Sequence, residues 1–422
     1  MEDNTFVESS ETYERILSDL KSRADRIKDD KINCIPFPFK RFSSEVPGIE
    51  QSKYVIVTAN SKVGKTKITD FMFLYNAVDF AYNNPNKLRI KIFYFTLEIS
   101  ADEKYRQFIS HMLYVKSGGK IKLSPTDLKS IDSSKPLKPE ILELLHQKEY
   151  IDYFNFFSSN VLYISNIRNP TGINKFCRDY AHNNGKNYYK KQVVTDRETK
   201  KTFEVDILDH YEQDDPDEYR MVILDHISLI SPESGNTLHE SITKLSSDYF
   251  VKLRNNYHYT VVVVQQQSAE TESLDSFKMN KLRPSSTGLG DCKLTSRDVD
   301  LMLGLFAPFR HNIAAYEGYD ITKFKDKIRF LEVIINRDGN SNLLVPLLFE
   351  GAVDYFKELP NPTNTDAMAE VYKYLQQTEK KVTIALFGYR VNNNNIYVKN
   401  FNIGKNWLWE KYINWRNSRV RN

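Results

Sequence analysis

The sequence has few cysteines and no long apolar segment. Among its 422 residues there are three cysteines, Cys34, Cys177 and Cys292, and no Cys-x-x-Cys pair. A disulfide framework and a structural zinc site are therefore excluded, and we expect a reducing, cytoplasmic setting. No apolar run approaches the ~20 residues that a membrane-spanning helix needs. The first residues are acidic and polar and lack the basic start of a secretory signal, so we expect no membrane association.

A strong excess of charge of either sign is also missing. Lysine and arginine number 59 and aspartate and glutamate 55, which gives a net charge of +4. This balance permits nucleic-acid binding without arguing for it. Hydrophobic residues make up 41% and charged residues 27%, a mixture that excludes wholesale disorder.

Apolar segments alternate with helical stretches along the chain. This order, with strands that are apolar throughout, predicts an α/β fold with a mostly parallel central sheet covered on both faces. Later segments follow one another with short connections and extend that sheet. The predicted strands are residues 54–59, 89–98, 161–165, 221–225 and 259–266, followed by 300–306, 327–337 and 343–350.

Four segments lie outside this alternation. Residues 8–30 predict an amphipathic helix that either packs on its own domain or is donated to a neighbouring subunit. The proline-bearing residues 35–50 predict a linker, and the polar residues 176–216 predict an inserted hairpin or a mobile loop. The last segment combines a helix, an asparagine-rich turn at 392–395 and an aromatic tail. We therefore expect an N-terminal helix or oligomerisation linker (1–34), a core domain (35–360) and a C-terminal appendage (361–422).

The clearest motif is the sequence ANSKVGKT at 59–66. It matches the phosphate-loop pattern, with alanine in place of the first glycine. Such a loop joins a strand to a helix, so that backbone N–H groups face a phosphate, the lysine reaches the β- and γ-oxygens and the threonine binds Mg²⁺. The predicted nucleotide-binding residues are Ala59, Asn60, Ser61, Lys62, Val63, Gly64, Lys65, Thr66 and Lys67.

A second motif, which ends in an acidic residue, completes the predicted metal site. Asp225 ends the apolar run MVILD at 221–225, which is typical of a Walker B strand whose carboxylate holds Mg²⁺. We therefore predict that Thr66 and Asp225 hold the metal.

Three further polar positions allow two interpretations each. Glu98 ends a strand and is either a base that activates water or an acid that stabilises the next helix N-terminus. The glutamines 265–267 follow a strand and either sense the γ-phosphate or merely end the strand. Arg337 is either an arginine that reaches a neighbouring nucleotide or an ordinary hairpin arginine.

The order of these motifs resembles the RecA-like ATPase domain of DnaB-type replicative helicases. The family pattern A-x-x-x-x-G-K-T, S-L-E-M, D-Y-L-x-L, S-Q-L, A-D and K-x-R-x-G has counterparts in the same order over residues 40–355. The counterparts are the phosphate loop, TLEIS (96–100), DHISLI (225–230), QQQ (265–267), DVD (298–300) and RDG (337–339).

The resemblance implies a function as well as a fold. It implies a P-loop ATPase that uses ATP and Mg²⁺, with Lys65 at the phosphates, Glu98 as the base, Gln266 as the γ-phosphate sensor and Arg337 acting on the adjacent subunit. It further implies a homo-hexameric helicase on single-stranded DNA, with a primase or loader as partner. The chain resembles a pared-down version of phage or plasmid origin, which would place it in the host cytoplasm.

The sequence also departs from the family pattern. Ile335 stands where the family has a lysine, and the usual arginine after the glutamate motif is shifted to Arg106, with Gln107 in its place. Another RecA-type motor, such as a recombinase or packaging ATPase, and a nucleotide-binding scaffold with little turnover therefore remain alternatives. Residues 268–297 are either a DNA-contacting loop or a surface loop, and they carry Lys278, Lys281, Arg283 and Lys293.

Overall fold

The computed structural model divides the chain after Leu359 into two compact units. The first unit carries the central sheet and every motif described above. The predicted division into 1–34, 35–360 and 361–422 stays a prediction. The structure describes residues 9–196, 199–279, 282–387, 390–392 and 395–397.

A nine-stranded sheet forms the centre of the first unit. Its strand order is β11-β10-β9-β8-β1-β7-β6-β2-β3, where β4 and β5 form a separate hairpin. Strands β8, β1, β7, β6, β2 and β3 run parallel, and β9, β10 and β11 add antiparallel strands at one side. The strands are β1 Tyr54–Ala59, β2 Arg89–Thr96, β3 Val161–Ile164, β4 Gly185–Thr195, β5 Thr202–Gln213, β6 Glu218–Asp225, β7 Thr260–Gln266, β8 Leu301–Phe306, β9 Ile328–Asn336, β10 Leu344–Glu350 and β11 Tyr355–Glu358.

Helices cover both faces of this sheet, as the apolar strands require. Two of them contain a π-helical stretch in the middle, Asp70–Tyr75 and Lys244–Phe250. The α-helices are Ser9–Lys28, Lys40–Ser43, Lys65–Thr69, Asn76–Asn83, Ala101–Lys116, Pro125–Leu128, Pro139–Leu145, Lys148–Asn160, Pro170–Asn183, Leu238–Thr243, Val251–Tyr257, Leu274–Lys278, Ile321–Phe324 and Thr365–Phe387. Shorter 3₁₀ turns are Ile227–Leu229, Ala269–Glu272, Lys293–Arg297, Pro308–His311 and Lys325–Lys327.

The hydrophobic core consists of two clusters, one on each face of the sheet. Successive residues of a strand point to opposite faces. In β1, Val55 and Val57 belong to one cluster, together with Ile68 of the helix that follows, whereas Ile56 belongs to the other cluster with Leu253. The α/β fold with a mostly parallel, doubly covered sheet, as in a RecA-like core, is therefore confirmed.

Residues 35–50 differ from the predicted linker. The strand Ile35–Pro36 pairs with Gly48–Ile49, and Phe37, Phe39 and Phe42 of this segment are buried in the core. The prolines break regular structure, but the aromatic side chains between them still drive burial. This segment is a packed part of the domain.

The polar residues 176–216 form the end of one helix and an extended hairpin. Strands β4 and β5 pair antiparallel from Gly185↔Gln213 to Thr195↔Thr202. Tyr211 anchors the base, since its hydroxyl donates to the carbonyl of Ala181 at 2.8 Å. Most of the remaining hairpin is exposed.

The second unit contains the predicted helix, Thr365–Phe387. Short strands Arg390–Asn392 and Asn395–Tyr397 pair beyond it, and residues 393–394 of the asparagine-rich turn lie outside the described residues. The aromatic tail from residue 398 onward also lies outside them. No helix in the described part of the chain is long and apolar enough to cross a membrane.

The packing of residues 35–50 leads to a stability prediction. We expect Phe39→Ala to lower the free energy of unfolding by about 3–5 kcal/mol, because truncation of a buried aromatic ring leaves a cavity. The matched control is Phe203→Ala on the exposed face of the hairpin, which we expect to change it by less than about 0.5 kcal/mol. Urea unfolding measures both. Equal unfolding midpoints for the two variants would contradict a packed segment.

Candidate nucleotide-binding site

The predicted site residues other than Arg337 meet at one edge of the sheet. Parallel pairing sets Ala59 opposite Gln266, and Thr96 opposite Asp225, so β1, β7, β2 and β6 all end together. In open α/β sheets, ligands bind outside these carboxyl ends. A cavity of about 980 Å³ lies there, lined by Ser61, Lys62, Gly64, Lys65, Thr66, Lys67, Glu98 and Gln266 among others.

The phosphate loop has the backbone that its sequence predicts. Gly64 adopts a φ of 110°, in the left-handed region that favours glycine, and the helix begins at the next residue, Lys65. Ala59, Asn60 and Val63 are buried and support the loop rather than line the cavity. Lys67 lines the cavity, but its ammonium is paired with Asp354. The loop therefore directs the N-terminus of a helix at the cavity.

Lys65 is the cation at the floor of this cavity. Its Nζ donates to Oε1 of Gln266 at 3.3 Å. Burial lowers the pKa of Lys65, whereas the nearby charges of Glu98 and Asp225 oppose that shift. A partly desolvated ammonium with a neutral hydrogen-bond partner is well suited to receive an anion.

Thr66 and Asp225 place two oxygen atoms that could bind a metal ion beside Lys65. The Thr66 hydroxyl donates to Oδ1 of Asp225 at 3.0 Å, and Asp225 is almost fully buried. Hydroxyl and carboxylate oxygens fit Mg²⁺, which takes few protein ligands when phosphate oxygens complete its coordination. Among the described residues, no group of three or more His, Cys, Asp or Glu side chains is placed to hold a metal.

Glu98 lies just beyond β2 with its side chain exposed at the cavity. The alternative interpretation made it an acid at the N-terminus of the next helix. That position is occupied by Ser100, whose hydroxyl accepts from the N–H of Glu103, and the first turn carries Asp102 and Glu103. The position of Glu98 thus favours the first interpretation, a base that activates water in the cavity.

The three glutamines point in different directions. Gln266 faces Lys65, whereas Gln265 and Gln267 are buried in the adjoining loop. Gln265 Nε2 donates to the carbonyls of Gly290 and Cys292, each at 2.8 Å. Gln267 Nε2 donates to the Ser285 carbonyl at 3.0 Å. The strand end therefore joins the cavity to the loop that follows.

That loop, residues 268–297, borders the cavity itself. Ser268, Ala269, Gly290 and Asp291 line it. Of the basic residues predicted to meet DNA, Lys278 and Lys293 are exposed, whereas Arg283 lies 3.6 Å from Glu332. Lys281 lies outside the described residues. DNA contact by this loop stays a prediction.

Arg337 lies far from the cavity of its own chain. It follows β9 and donates to the carbonyl of Arg297, and its Nη1 is 3.8 Å from Asp300. Leu301 pairs with both Asn336 and Val55, so Arg337 sits at the level where β1 begins. At ~3.3 Å per strand residue, the phosphate loop is roughly 15 Å away. An action of Arg337 on a nucleotide therefore requires a second subunit.

Sequence motifs did not indicate Arg329 and Phe349, which line the cavity, and gave His226 of the DHISLI motif no role. His226 also lines the cavity, and its pKa is lowered by burial first and by Lys65 second. Arg329 of β9 donates to the carbonyl of Val63 at 2.7 Å and lies over the ring of Phe349 at 4.6 Å. The antiparallel strands carry no motif, so only the fold brings these two side chains to the phosphate loop.

Comparison with solved structures gives neighbours for this fold. No protein-family model and no curated protein sequence matches the chain. A solved structure described as an ATPase domain matches with a TM-score of 0.57 and 15% identity, over 83% of this chain and 98% of that one. A DnaB-like replicative helicase, described with its primase interactions, matches with a TM-score of 0.56 and 15% identity, over 84% and 68%. At 15% identity the likeness concerns the fold alone. In its fold, the expected resemblance to DnaB-type ATPase domains is confirmed.

The position of Lys65 leads to a binding prediction. We expect Lys65→Ala to weaken the affinity for Mg·ATP by about 10- to 100-fold, because a charge-assisted hydrogen bond is worth about 1.5–3 kcal/mol. The control is Lys91→Ala, a lysine of β2 that bonds to the Ser159 carbonyl instead. Calorimetric titration of nucleotide measures both affinities. Unchanged affinity in Lys65→Ala would mean that the cavity is not a phosphate site.

Proposed function

We propose that this chain is an ATP-driven, ring-forming DNA helicase or translocase of replication. The proposal is carried by one observation: a single cavity at the edge of a RecA-like sheet is lined by the phosphate loop, Glu98 and Gln266, and Asp225 lies behind it, bonded to Thr66. Each of these groups suits one part of nucleotide hydrolysis. The fold of the neighbouring structures adds support for a motor of this class.

Each of these residues has a separate role in the proposed hydrolysis. The loop N–H groups and Lys65 bind the phosphates, and Thr66 with Asp225 would hold Mg²⁺, which neutralises charge on the β- and γ-oxygens when bound. Glu98 orients the attacking water and accepts its proton. Its exposure at the cavity mouth leaves it free to meet water on the γ-phosphate side.

Gln266 is suited to report the state of the γ-phosphate. It already contacts Lys65, the side chain proposed to bind the phosphates. Its neighbours Gln265 and Gln267 bond to the carbonyls of residues 285, 290 and 292. A shift of this strand end therefore moves the loop 268–297, which we propose contacts single-stranded DNA by following its phosphate backbone.

The site is proposed to be shared between subunits. Arg337 is exposed at the opposite end of the sheet, where it can face the cavity of an adjacent chain but not its own. An arginine supplied in this way stabilises transition-state charge. Ile335 replaces the lysine of the family pattern and is half-buried against the core, so Arg337 would act without a second cation from that strand.

The N-terminal helix supports assembly. Ion pairs tether its polar side to the domain, with Arg26 to Asp217 at 2.8 Å and Arg23 to Glu50 at 3.2 Å. Its apolar side chains stay exposed, which favours packing of this helix against a neighbouring subunit over packing against its own domain. These exposed residues are Tyr13, Ile16, Leu17, Leu20 and Ile27. We propose a homo-hexamer, with a primase or loader as a further partner, in the cytoplasm of the cell or phage host.

The base assignment leads to a kinetic prediction. We expect Glu98→Gln to bind ATP normally while its turnover falls ~10²-fold or more, because the amide keeps the shape but cannot accept a proton. The control is Glu103→Gln, which pairs with Arg106 and Lys129 away from the cavity. Steady-state ATP hydrolysis with and without single-stranded DNA measures both. Near-normal turnover in Glu98→Gln would place the base elsewhere, and no turnover in the wild type would favour a scaffold.

The shared site leads to a mixing prediction. We expect Arg337→Ala to bind ATP but to lose ~10³–10⁵ in rate, the usual worth of an arginine supplied by a neighbouring subunit. Mixing it with Lys65→Ala subunits restores part of the activity, since an intact loop then meets an intact arginine at some interfaces. The control is Arg178→Ala, an exposed arginine on the helix Pro170–Asn183. Full turnover by a dilute monomer would refute the shared site.

A further inference from the structure

A buried group of charges lies directly beneath Thr66 and Asp225. Lys104 and Asp70 are both fully buried, and Lys104 Nζ donates to Oδ2 of Asp70 at 2.9 Å. The same ammonium lies 3.5 Å from Oδ2 of Asp225. Burying three charges costs several kcal/mol unless each is paired and hydrogen-bonded. Neither Asp70 nor Lys104 belongs to any motif in the sequence.

Tyr94 completes the network. Its hydroxyl accepts from Lys104 Nζ at 2.6 Å and lies within hydrogen-bond distance of Oδ1 of Asp70 (2.8 Å) and Oδ2 of Asp225 (3.3 Å). The Lys104 ammonium also lies 4.3 Å from the centre of the Tyr94 ring. Every member of the group thus has a partner, which is the condition under which a buried polar network is stable.

Secondary structure brings these residues to one point. Asp70 follows Thr66 by four residues, so both lie on the same face of the phosphate-loop helix, where its π-helical stretch begins. Tyr94 lies in β2, which pairs with β6 up to Thr96↔Asp225. Lys104 lies in the first turn of the helix capped by Ser100. The network therefore connects the metal-site carboxylate to the helix that carries Thr66.

Lys104 has two carboxylates within 4 Å of its ammonium. The ammonium lies 2.9 Å from Oδ2 of Asp70 and 3.5 Å from Oδ2 of Asp225, so Asp70 is its nearer ion-pair partner. Asp70 therefore offsets the charge of Lys104, and the carboxylate of Asp225 stays available to the cavity.

We propose that Asp70 and Lys104 are positioning residues for the metal-binding carboxylate of Asp225. Lys104 and Tyr94 hold Oδ2, which turns Oδ1 towards the Thr66 hydroxyl. Asp70 keeps the ammonium from neutralising Asp225. The inference rests on the proposed nucleotide and Mg²⁺ site and adds the residues that set its charge and orientation.

A single and a double variant distinguish an effect of charge on Asp225 from a loss of structure. Asp70→Asn removes the nearer of the two carboxylates that pair with Lys104, so its ammonium then offsets more of the negative charge of Asp225. We expect the Mg²⁺ concentration that half-saturates nucleotide binding to rise about 10-fold, as is usual when a group that supports a metal ligand is lost. Lys104→Met added to Asp70→Asn removes the surplus cation, and we expect most of that 10-fold loss to be recovered.

The readout is binding of a fluorescent, non-hydrolysed ATP analogue, titrated with Mg²⁺ and repeated in EDTA. Affinity in EDTA should be unchanged in both variants, because the phosphate loop and Lys65 are intact. The control is Glu218→Gln, which removes the partner of the buried Arg220 at the other end of β6 and should leave the Mg²⁺ requirement unchanged.

The outcomes distinguish the two proposals. If wild-type protein binds the analogue without any Mg²⁺ dependence, the proposed metal site itself fails. If the wild type depends on Mg²⁺ but Asp70→Asn does not differ from it, the positioning role is wrong. A double variant no better than Asp70→Asn, or a loss of affinity in EDTA, would equally refute it, because the defect would then be structural.

Discussion

Parallel pairing of β1 with β7, and of β6 with β7 and β2, sets the positions of the sequence motifs at the cavity. Each strand has an apolar middle, and Thr96, Asp225 and Gln266 stand at the carboxyl ends of β2, β6 and β7. Because the registers align these ends, Gln266 lies opposite Ala59 and Asp225 lies opposite Thr96. A slip of one residue would move each side chain to the opposite face, disrupt its packing and displace the strand ends from one another, so the packed register keeps the site assembled.

The cavity combines groups of both signs at close range. Lys65, Glu98 and Asp225 act on one another across it, and the buried Asp70 and Lys104 lie behind it. Such a group is costly in a low-dielectric interior unless the charges are balanced. Asp70 balances Lys104, whereas Lys65 has a neutral hydrogen-bond partner, Gln266, and so retains attraction for phosphate. In the proposed site, this distribution of partners suits an anion at the loop and a cation beside Asp225.

Much of this arrangement could be predicted from the sequence. The strands that carry the motifs, the helix after Gly64 and the convergence of Thr66 with Asp225 follow from local patterns and strand order. The network of Asp70, Tyr94 and Lys104 could not be predicted, since an isolated Asp or Lys in a helix reads as a solvent-facing residue. Residues 35–50 were predicted wrongly as a linker, because prolines signal a break in regular structure whereas tertiary packing of the aromatic rings decides burial.

The strand β1 also connects the arginine turn to the phosphate loop. Asp300 accepts from the backbone N–H of Tyr54 at 2.8 Å through its side chain and from that of Arg337 at 2.9 Å through its carbonyl. Tyr54 begins β1, and Ala59 ends it at the phosphate loop. A strand buried on both faces cannot stretch or tilt without disturbing close-packed neighbours, so it moves as a unit. In the proposed ring, displacement of the loop by a nucleotide would therefore reach the turn that faces the next subunit. Asp300 of the acidic element fastens that turn to the strand.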